Sequence, residues 1–372
     1  MSNLFIGTIS GTSMDAIDVA LVDFSDQSPK LLGAISFPIP KEFKDKCFNI
    51  TQTGQCLLDE YCQLDMVAGS LFSDAILSLL KAANISAKKI RAIGSHGQNI
   101  RHCPNANPPF TLQIGNPNLI AEKTGITTIA DFRNRDIIGG GQGAPLAPGF
   151  HASVFRSSAE NRIIVNIGGI SNITNLPMDL NIPITGFDTG PGNGLMDAWI
   201  QQQRQLPFDE NGQFAKSGTV NRPLLQFCLE DPYFLKYPPK STGREYFNLD
   251  WLNQKINASQ SSNFLAEDIQ ATLLALTTQS IANAILQYGS KNPSIFVCGG
   301  GVQNQFLMEE LANRLQHPVN STEKLGIAPD WVEAILFAWL AKQTLEGKPG
   351  NCPSVTGAKN PVILGGIFGY QP

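Results

Sequence analysis

The segment Gly186-Phe187-Asp188-Thr189-Gly190-Pro191-Gly192-Asn193 sets one carboxylate at the end of a short predicted strand, ahead of glycines and a helix expected to begin near Asn193. Open α/β sheets place their reacting groups at such strand ends. A carboxylate there can take a proton, which makes Asp188 the candidate base; the same spacing also suits a helix-capping or turn aspartate. Three glycine-rich turns follow predicted strands, at 7–13, 168–172 and 299–301. Glycine lets backbone N–H groups close around phosphate oxygens, and three such turns together could hold one nucleotide. Taken singly, each is also a plain structural hairpin. Neither G-x-x-x-x-G-K-[ST] nor a strand-following G-x-G-x-x-G is present, so the P-loop and Rossmann fingerprints are missing.

The first turn adds the hydroxyls of Thr8, Ser10, Thr12 and Ser13 and the carboxylates of Asp15 and Asp18. Hard carboxylate oxygens suit Mg²⁺, which binds through one or two acids together with substrate phosphates. Asp15 reads equally as a turn former. The run 295–304 is a buried strand entering Gly299-Gly300-Gly301 and then a helix, where a flat base could lie against backbone. His96 and His102 are spaced as His-x5-His, which fits neither a helical pair nor one strand face, so metal ligation is disfavoured. Polar contacts to a hydroxylated ligand suit these segments better, with Arg133 able to fork onto a carboxylate. The run Lys240-Ser241-Thr242-Gly243-Arg244-Glu245 could act likewise or lie in solvent.

The elements that must position these groups alternate between helix and strand. Segments 64–83 and 266–287 carry apolar residues at helical spacing, and each precedes a short predicted strand, at 90–93 and 294–298. The class is therefore α/β. Ile6-Gly7-Thr8-Ile9-Ser10 recurs as Ile167-Gly168-Gly169-Ile170-Ser171 with only Thr8 changed, which points to two related halves. Residues 139–148 read as an irregular joining loop, and 201–248, with five prolines, as a polar insertion or lid.

The chain has 372 residues, 42% hydrophobic and 16% charged, enough to bury a core and too few charges for disorder. Lys and Arg total 27 against 31 Asp and Glu, so the net charge of −4 argues against a nucleic-acid partner. No apolar run reaches the ~20 residues of a membrane span, and the first 15 residues lack a secretion signal's pattern, so a cytoplasmic protein with no membrane partner is expected. Seven scattered cysteines without a C-x-x-C pair suggest buried thiols.

Gly7-Thr8-Ile9-Ser10-Gly11-Thr12-Ser13-Met14-Asp15 with Ile17-Asp18 resembles the opening signature of the anhydro-N-acetylmuramic acid kinases. Ser95-His96-Gly97-Gln98, Ala130-Asp131-Phe132-Arg133, Gly140-Gly141-Gln142-Gly143-Ala144-Pro145, the Asp188 segment, 240–245, 297–301 and Trp331-Val332-Glu333-Ala334 are similar to that family's motifs in the same order. The resemblance implies a two-lobed, duplicated ribonuclease-H-like fold of the actin-like ATPase and sugar kinase architecture, with ATP in an interlobe cleft. The lobes are expected at 1–145 and 146–372, with the C-terminal segment packing back on the first. It further implies ATP-dependent opening of the 1,6-anhydro ring of 1,6-anhydro-N-acetylmuramic acid with phosphorylation of O6, a step of peptidoglycan recycling, by a homodimer.

Residue by residue, the resemblance assigns catalysis to Asp188. It gives phosphate binding to Gly11, Thr12, Ser13, Met14, Asp15, Ala16, Ile17, Asp18, Gly168 and Gly169, and adenosine to Gly299, Gly300, Gly301 and Asn304. Sugar binding falls to His96, Arg133, Gln142 and Glu333, and Mg²⁺ to Asp15, directly or through water. Ala16 departs from the family's usual glycine; were φ positive there, the methyl would strain the turn, and the expectation is that it is accommodated. The alternatives are another small-molecule sugar kinase of the same superfamily or a nucleotide-gated binding protein.

Overall fold

The computed structural model describes residues 2–11, 14–26, 28–259 and 264–371. In chain order its strands are β1 (Leu4–Ser10), β2 (Ala16–Asp23), β3 (Lys30–Pro38), β4 (Ile90–Cys103), β5 (Phe110–Ile114), β6 (Thr128–Ala130), β7 (Arg162–Ile167), β8 (Ile170–Leu176), β9 (Thr185–Pro191), β10 (Ser294–Cys298), β11 (Val319–Ser321) and β12 (Gly366–Phe368). The chain forms two compact units, one of Met1–Val154 with Trp331–Pro372 and the other of Phe155–Asp330.

Each unit is built on a mixed sheet, and the two sheets share one topology. In the first, β1 pairs antiparallel with β2, β2 with β3 likewise, and β1 runs parallel to β4, which runs parallel to β6. In the second, β7, β8 and β9 form the same antiparallel meander, and β7 runs parallel to β10, which runs parallel to β11. The first sheet adds β12 against β6 and β5 against β4. This is the duplicated ribonuclease-H-like α/β architecture.

The repeated pentapeptide is not what records the duplication. Ile6–Ser10 lies within β1, whereas Ile167 ends β7, Gly168 and Gly169 make the turn, and Ile170 opens β8. The two copies therefore occupy different places in their hairpins. Position 7 of this strand is glycine because the helix Val332–Leu345 crosses directly over it. A Cβ on Gly7 would overlap the Ala334 carbonyl, and one on the neighbouring Gly94 would overlap that of Phe337. Two glycines in register let this helix, which carries Glu333 in its first turn, lie on bare backbone.

The opposite face of the first sheet packs Ile6, Val19, Leu21 and Ile93 against Phe72, Ile76 and Leu79 of the helix Leu58–Ala82. In the second unit the helix Ala266–Tyr288 is buried nearly all round, with Leu273, Leu276 and Ile281 in the core. Both helices are long and apolar enough to cross a membrane by composition; most of the second is interior. Residues 201–248 are built in rather than inserted, since Phe214, Leu224, Tyr233 and Phe247 all lie in that core. Pro223 and Pro232 open short helices, where their missing N–H costs nothing. Asp231 ties the segment together, accepting from the Tyr233 amide, the Tyr246 hydroxyl and Trp251 Nε1 and pairing with Lys255 at 3.1 Å.

Candidate active site

In the first unit, the turn after β1 is pinned from inside. Met14 is the residue in the left-handed region, at φ 52°, with its N–H on the Gly11 carbonyl at 3.1 Å and its side chain buried among Phe43, Cys47 and Ile50. The packing of that side chain offsets the roughly 1 kcal/mol of a non-glycine residue in this conformation. Ala16 opens β2 and is not among the positive-φ residues, so the strain considered for it is absent. Ala16→Gly is therefore expected to leave kcat/KM within about threefold, less than 1 kcal/mol; a tenfold rise in steady-state assay would contradict this. Thr12 and Ser13 lie outside the described residues.

The other members of the first-turn set separate. Ile17 is in the core, while Thr8 and Ser10 are buried within β1, with hydroxyls lacking a partner among the described residues. Asp15 is exposed and ion-paired to Lys44. Asp18 accepts from Ser36 Oγ and lies close enough to Glu333 for its charge to be felt there. No group of three or more His, Cys, Asp or Glu among the described residues could hold a metal. The Asp15 carboxylate, expected to take Mg²⁺, is shared with Lys44 through Oδ1.

Asp18 joins the residues assigned to the sugar. His96 on β4 has Nδ1 3.0 Å from the Gly97 carbonyl and takes the Arg133 Nε–H on Nε2 at 3.0 Å, which assigns a neutral, Nδ1-protonated ring. Burial first, and then the Arg133 charge, hold its pKa well below the usual histidine range. Arg133 Nη1 donates to the Gly143 carbonyl at 2.8 Å. The loop that carries Gln142 hangs on buried Asp136, which accepts from the Gly143 amide, Asn351 and Thr356, and the Gln142 amide donates to the Thr356 carbonyl at 2.8 Å. Desolvation and then Asp18 push the Glu333 carboxyl up, against the pull of Arg133. A cavity of about 230 Å³ opens beside His96, with Ser95, Gln113, Asp131 and Asn134 among its polar lining and Leu112, Ile114 and Pro117 among its apolar lining.

Two further histidines of this unit give it a pH signature. His151, 1% exposed, is pushed down to about 3 by burial, and His102 to about 4 by burial and Arg133. Folded pKa values below the unfolded ~6.5 mean that stability is whole above pH 6.5 and is lost as pH falls toward the folded values. His151 alone should cost about 2 kcal/mol between pH 7 and pH 5. Urea midpoints at the two pH values, in the wild type and in His151→Gln, measure this; an equal drop in both would remove His151 as the source.

In the second unit, Asp188 sits in the middle of β9, not at its end, directly opposite Asn172 on β8. Its backbone is held on both sides, the N–H donating to the Lys240 carbonyl at 3.2 Å and the carbonyl accepting from the Tyr233 hydroxyl at 2.6 Å. The carboxylate takes the Thr242 N–H on Oδ2 at 3.0 Å. Asp188 is half-buried and oriented, as a base must be. Lys240, lowered by desolvation and by Lys236, lies 4.8 Å over the Tyr233 ring. The Asn172 Oδ1 is buried without a partner among the described residues. Asn172 and Thr242 lie in runs singled out in the sequence and Tyr233 does not, but only strand register and the fold of 231–255 bring all three to Asp188.

The carbonyls of Gly168 and Gly169 accept from the amides of Gly192, Asn193 and Gly194, so this turn caps the helix Gly194–Arg204. At the third turn, Gly299 and Gly301 leave room for Asn166 and Ile167, while a Cβ on Gly300 would meet only Asn193 Nδ2, at 3.9 Å. Asn304 caps the helix Gln305–Leu315 through Oδ1, 3.0 Å from the Leu307 amide.

Residues 3–370 match the family model described as anhydro-N-acetylmuramic acid kinase. A protein of that name from Coxiella burnetii (strain RSA 493 / Nine Mile phase I) is 51% identical over 366 residues, covering 98% of this chain and 97% of its own. One from Shewanella pealeana is 49% identical over 368 residues, covering 99% of each. Among solved structures, the chain is similar to a ROK family glucokinase from Streptomyces griseus in complex with glucose and AMPPNP, at 13% identity and a TM-score of 0.40, covering 91% of this chain and 99% of that one. With relatives at half identity along its whole length, the chain belongs to the anhydro-N-acetylmuramic acid kinase family.

Proposed function

We propose that this chain uses ATP to open the anhydro ring of 1,6-anhydro-N-acetylmuramic acid and phosphorylate O6, giving N-acetylmuramic acid 6-phosphate for peptidoglycan recycling. The end-to-end family match carries the reading. The held carboxylate of Asp188 supports its chemistry. Water attacks C1 and gives its proton to Asp188, as in the base half of an inverting glycoside hydrolysis. The C1–O6 bond breaks with its electron pair going to O6. O6 then forms a bond to the γ-phosphorus as the bond to the β-phosphate oxygen breaks, and ADP leaves with that pair. Phosphoryl transfer thus does the work of the acid that would otherwise protonate the leaving oxygen.

His96, Arg133, Gln142 and Glu333 hold the sugar and its lactyl carboxylate, and Gly300 offers backbone to the adenine. Mg²⁺ arrives as the magnesium complex of ATP, bound by phosphate oxygens and water, and no step is assigned to it. The family also supports cytoplasmic work by a homodimer, which sedimentation of the purified chain would check.

Incubation with ATP, Mg²⁺ and the anhydro sugar in ¹⁸O-water should place label at C1 and phosphate at O6 of the same product. Phosphorylation of N-acetylmuramic acid with no need for the anhydro ring would favour a plain sugar kinase instead. Arg133→Ala should raise the sugar KM at least tenfold, about 1.4 kcal/mol, with the ATP KM unchanged. An unaltered sugar KM removes Arg133 from the role.

A further inference from the structure

We propose that Arg244 is the cation that binds the transferring phosphoryl group, a deepening that rests on the kinase reading above. The helix start beside the 168–169 turn does not offer its amides to a phosphate. The amides of Gly192, Asn193 and Gly194, which a phosphate would use at that helix start, are taken by the carbonyls of Gly168 and Gly169. Positive charge has to come from elsewhere, and a guanidinium stands at the spot. A Cβ on Gly169 would lie 2.6 Å from Arg244 Nε and 2.8 Å from Nη2, and one on Gly194 3.3 Å from Nε. Both glycines leave the space that the guanidinium fills.

The arginine is placed but not satisfied. Its Nε–H is buried without an acceptor, and Arg244 makes no ion pair among the described residues. A buried donor left in this way costs about 1–3 kcal/mol, which an arginine serving structure alone would recover through a carboxylate or carbonyl. Phosphate oxygens accept from a guanidinium in pairs. The loop also ties Arg244 to the proposed base, because Thr242, two residues earlier, donates its amide to Asp188. As the bridging P–O bond breaks and the O6–P bond forms, the guanidinium would neutralise the equatorial oxygens without changing its own protonation.

The test uses the full chain and the variants Arg244→Gln and Arg244→Lys, with thermal melts to establish folding. Affinities for adenosine, ADP and ATP are measured by calorimetry, and sugar KM and kcat by coupled assay. Arg244→Gln should lower kcat at least a hundredfold and weaken ATP at least tenfold, with adenosine affinity and sugar KM unchanged; Arg244→Lys should fall between it and the wild type. ATP affinity and kcat within threefold of wild type overturn the proposal, as does a raised sugar KM with ATP unaffected, which would put Arg244 on the sugar. A wild type inactive on the anhydro sugar defeats the kinase reading instead, and the comparison of adenosine with ATP still decides Arg244.

Discussion

Asp188→Asn should lower kcat by about 10²–10⁴-fold, the range general-base catalysis supplies, while ATP binds as before. The substitution keeps shape and removes basicity. An amide oxygen can take the Thr242 N–H as Oδ2 does now, and the bonds to the Lys240 carbonyl and the Tyr233 hydroxyl belong to the backbone. The fold should therefore hold, with a melting temperature within about 2 °C, under 1 kcal/mol. Water attacking C1 then has no acceptor for its proton, so ring opening stalls and ATP is left unspent. Single-turnover assays with calorimetric ATP binding on the same sample read both quantities, and turnover near the wild-type rate would take the base role away from Asp188.

The second large effect is on the fold. Gly94→Ala should destabilise the first unit by about 4 kcal/mol or prevent folding, because its methyl would enter the backbone of the helix Val332–Leu345 at Phe337. Backbone cannot rotate aside as a side chain can. At that cost the melting temperature should drop by roughly 8–16 °C. Gly33→Ala is the control, since a Cβ there meets only Leu79 Cδ1 at 3.5 Å and Ala83 Cβ at 4.0 Å, both ordinary contacts, and a change within about 0.5 kcal/mol is expected. Should Gly94→Ala melt with the control, the helix is not seated on the sheet as described. Any Gly94→Ala protein that does fold should bind the sugar more weakly, because Glu333 rides on the lifted helix.

Local signals carried a good part of this protein. The apolar run at 294–298 coincides with β10, and the helical spacing at 266–287 with the helix Ala266–Tyr288. Asp188 could be singled out because an acid ahead of glycines reads as the end of a strand, although it lies in the middle of β9. The strand ending at Ser10 was not legible in the same way: Gly7 reads as a turn residue until the helix from the far end of the chain is laid over it. The segment 201–248 looked polar because its buried aromatics are interspersed among charges and prolines, and only Asp231 and its partners show them drawn inward.

Patterns repeating every few residues, such as alternation, helical spacing and turn chemistry, reflect forces between near neighbours, so the chain alone determined its class, its two long helices and several of its strands, and its family. Tertiary structure decided which groups act together: that Met14 and not Ala16 takes the left-handed turn, that Asp18 faces Glu333 while Asp15 faces Lys44, and that Arg244 comes to rest over Gly169. These depend on contacts between residues tens to hundreds of positions apart, where the energy lies in packing and in desolvated charge, and neither leaves a period in the sequence.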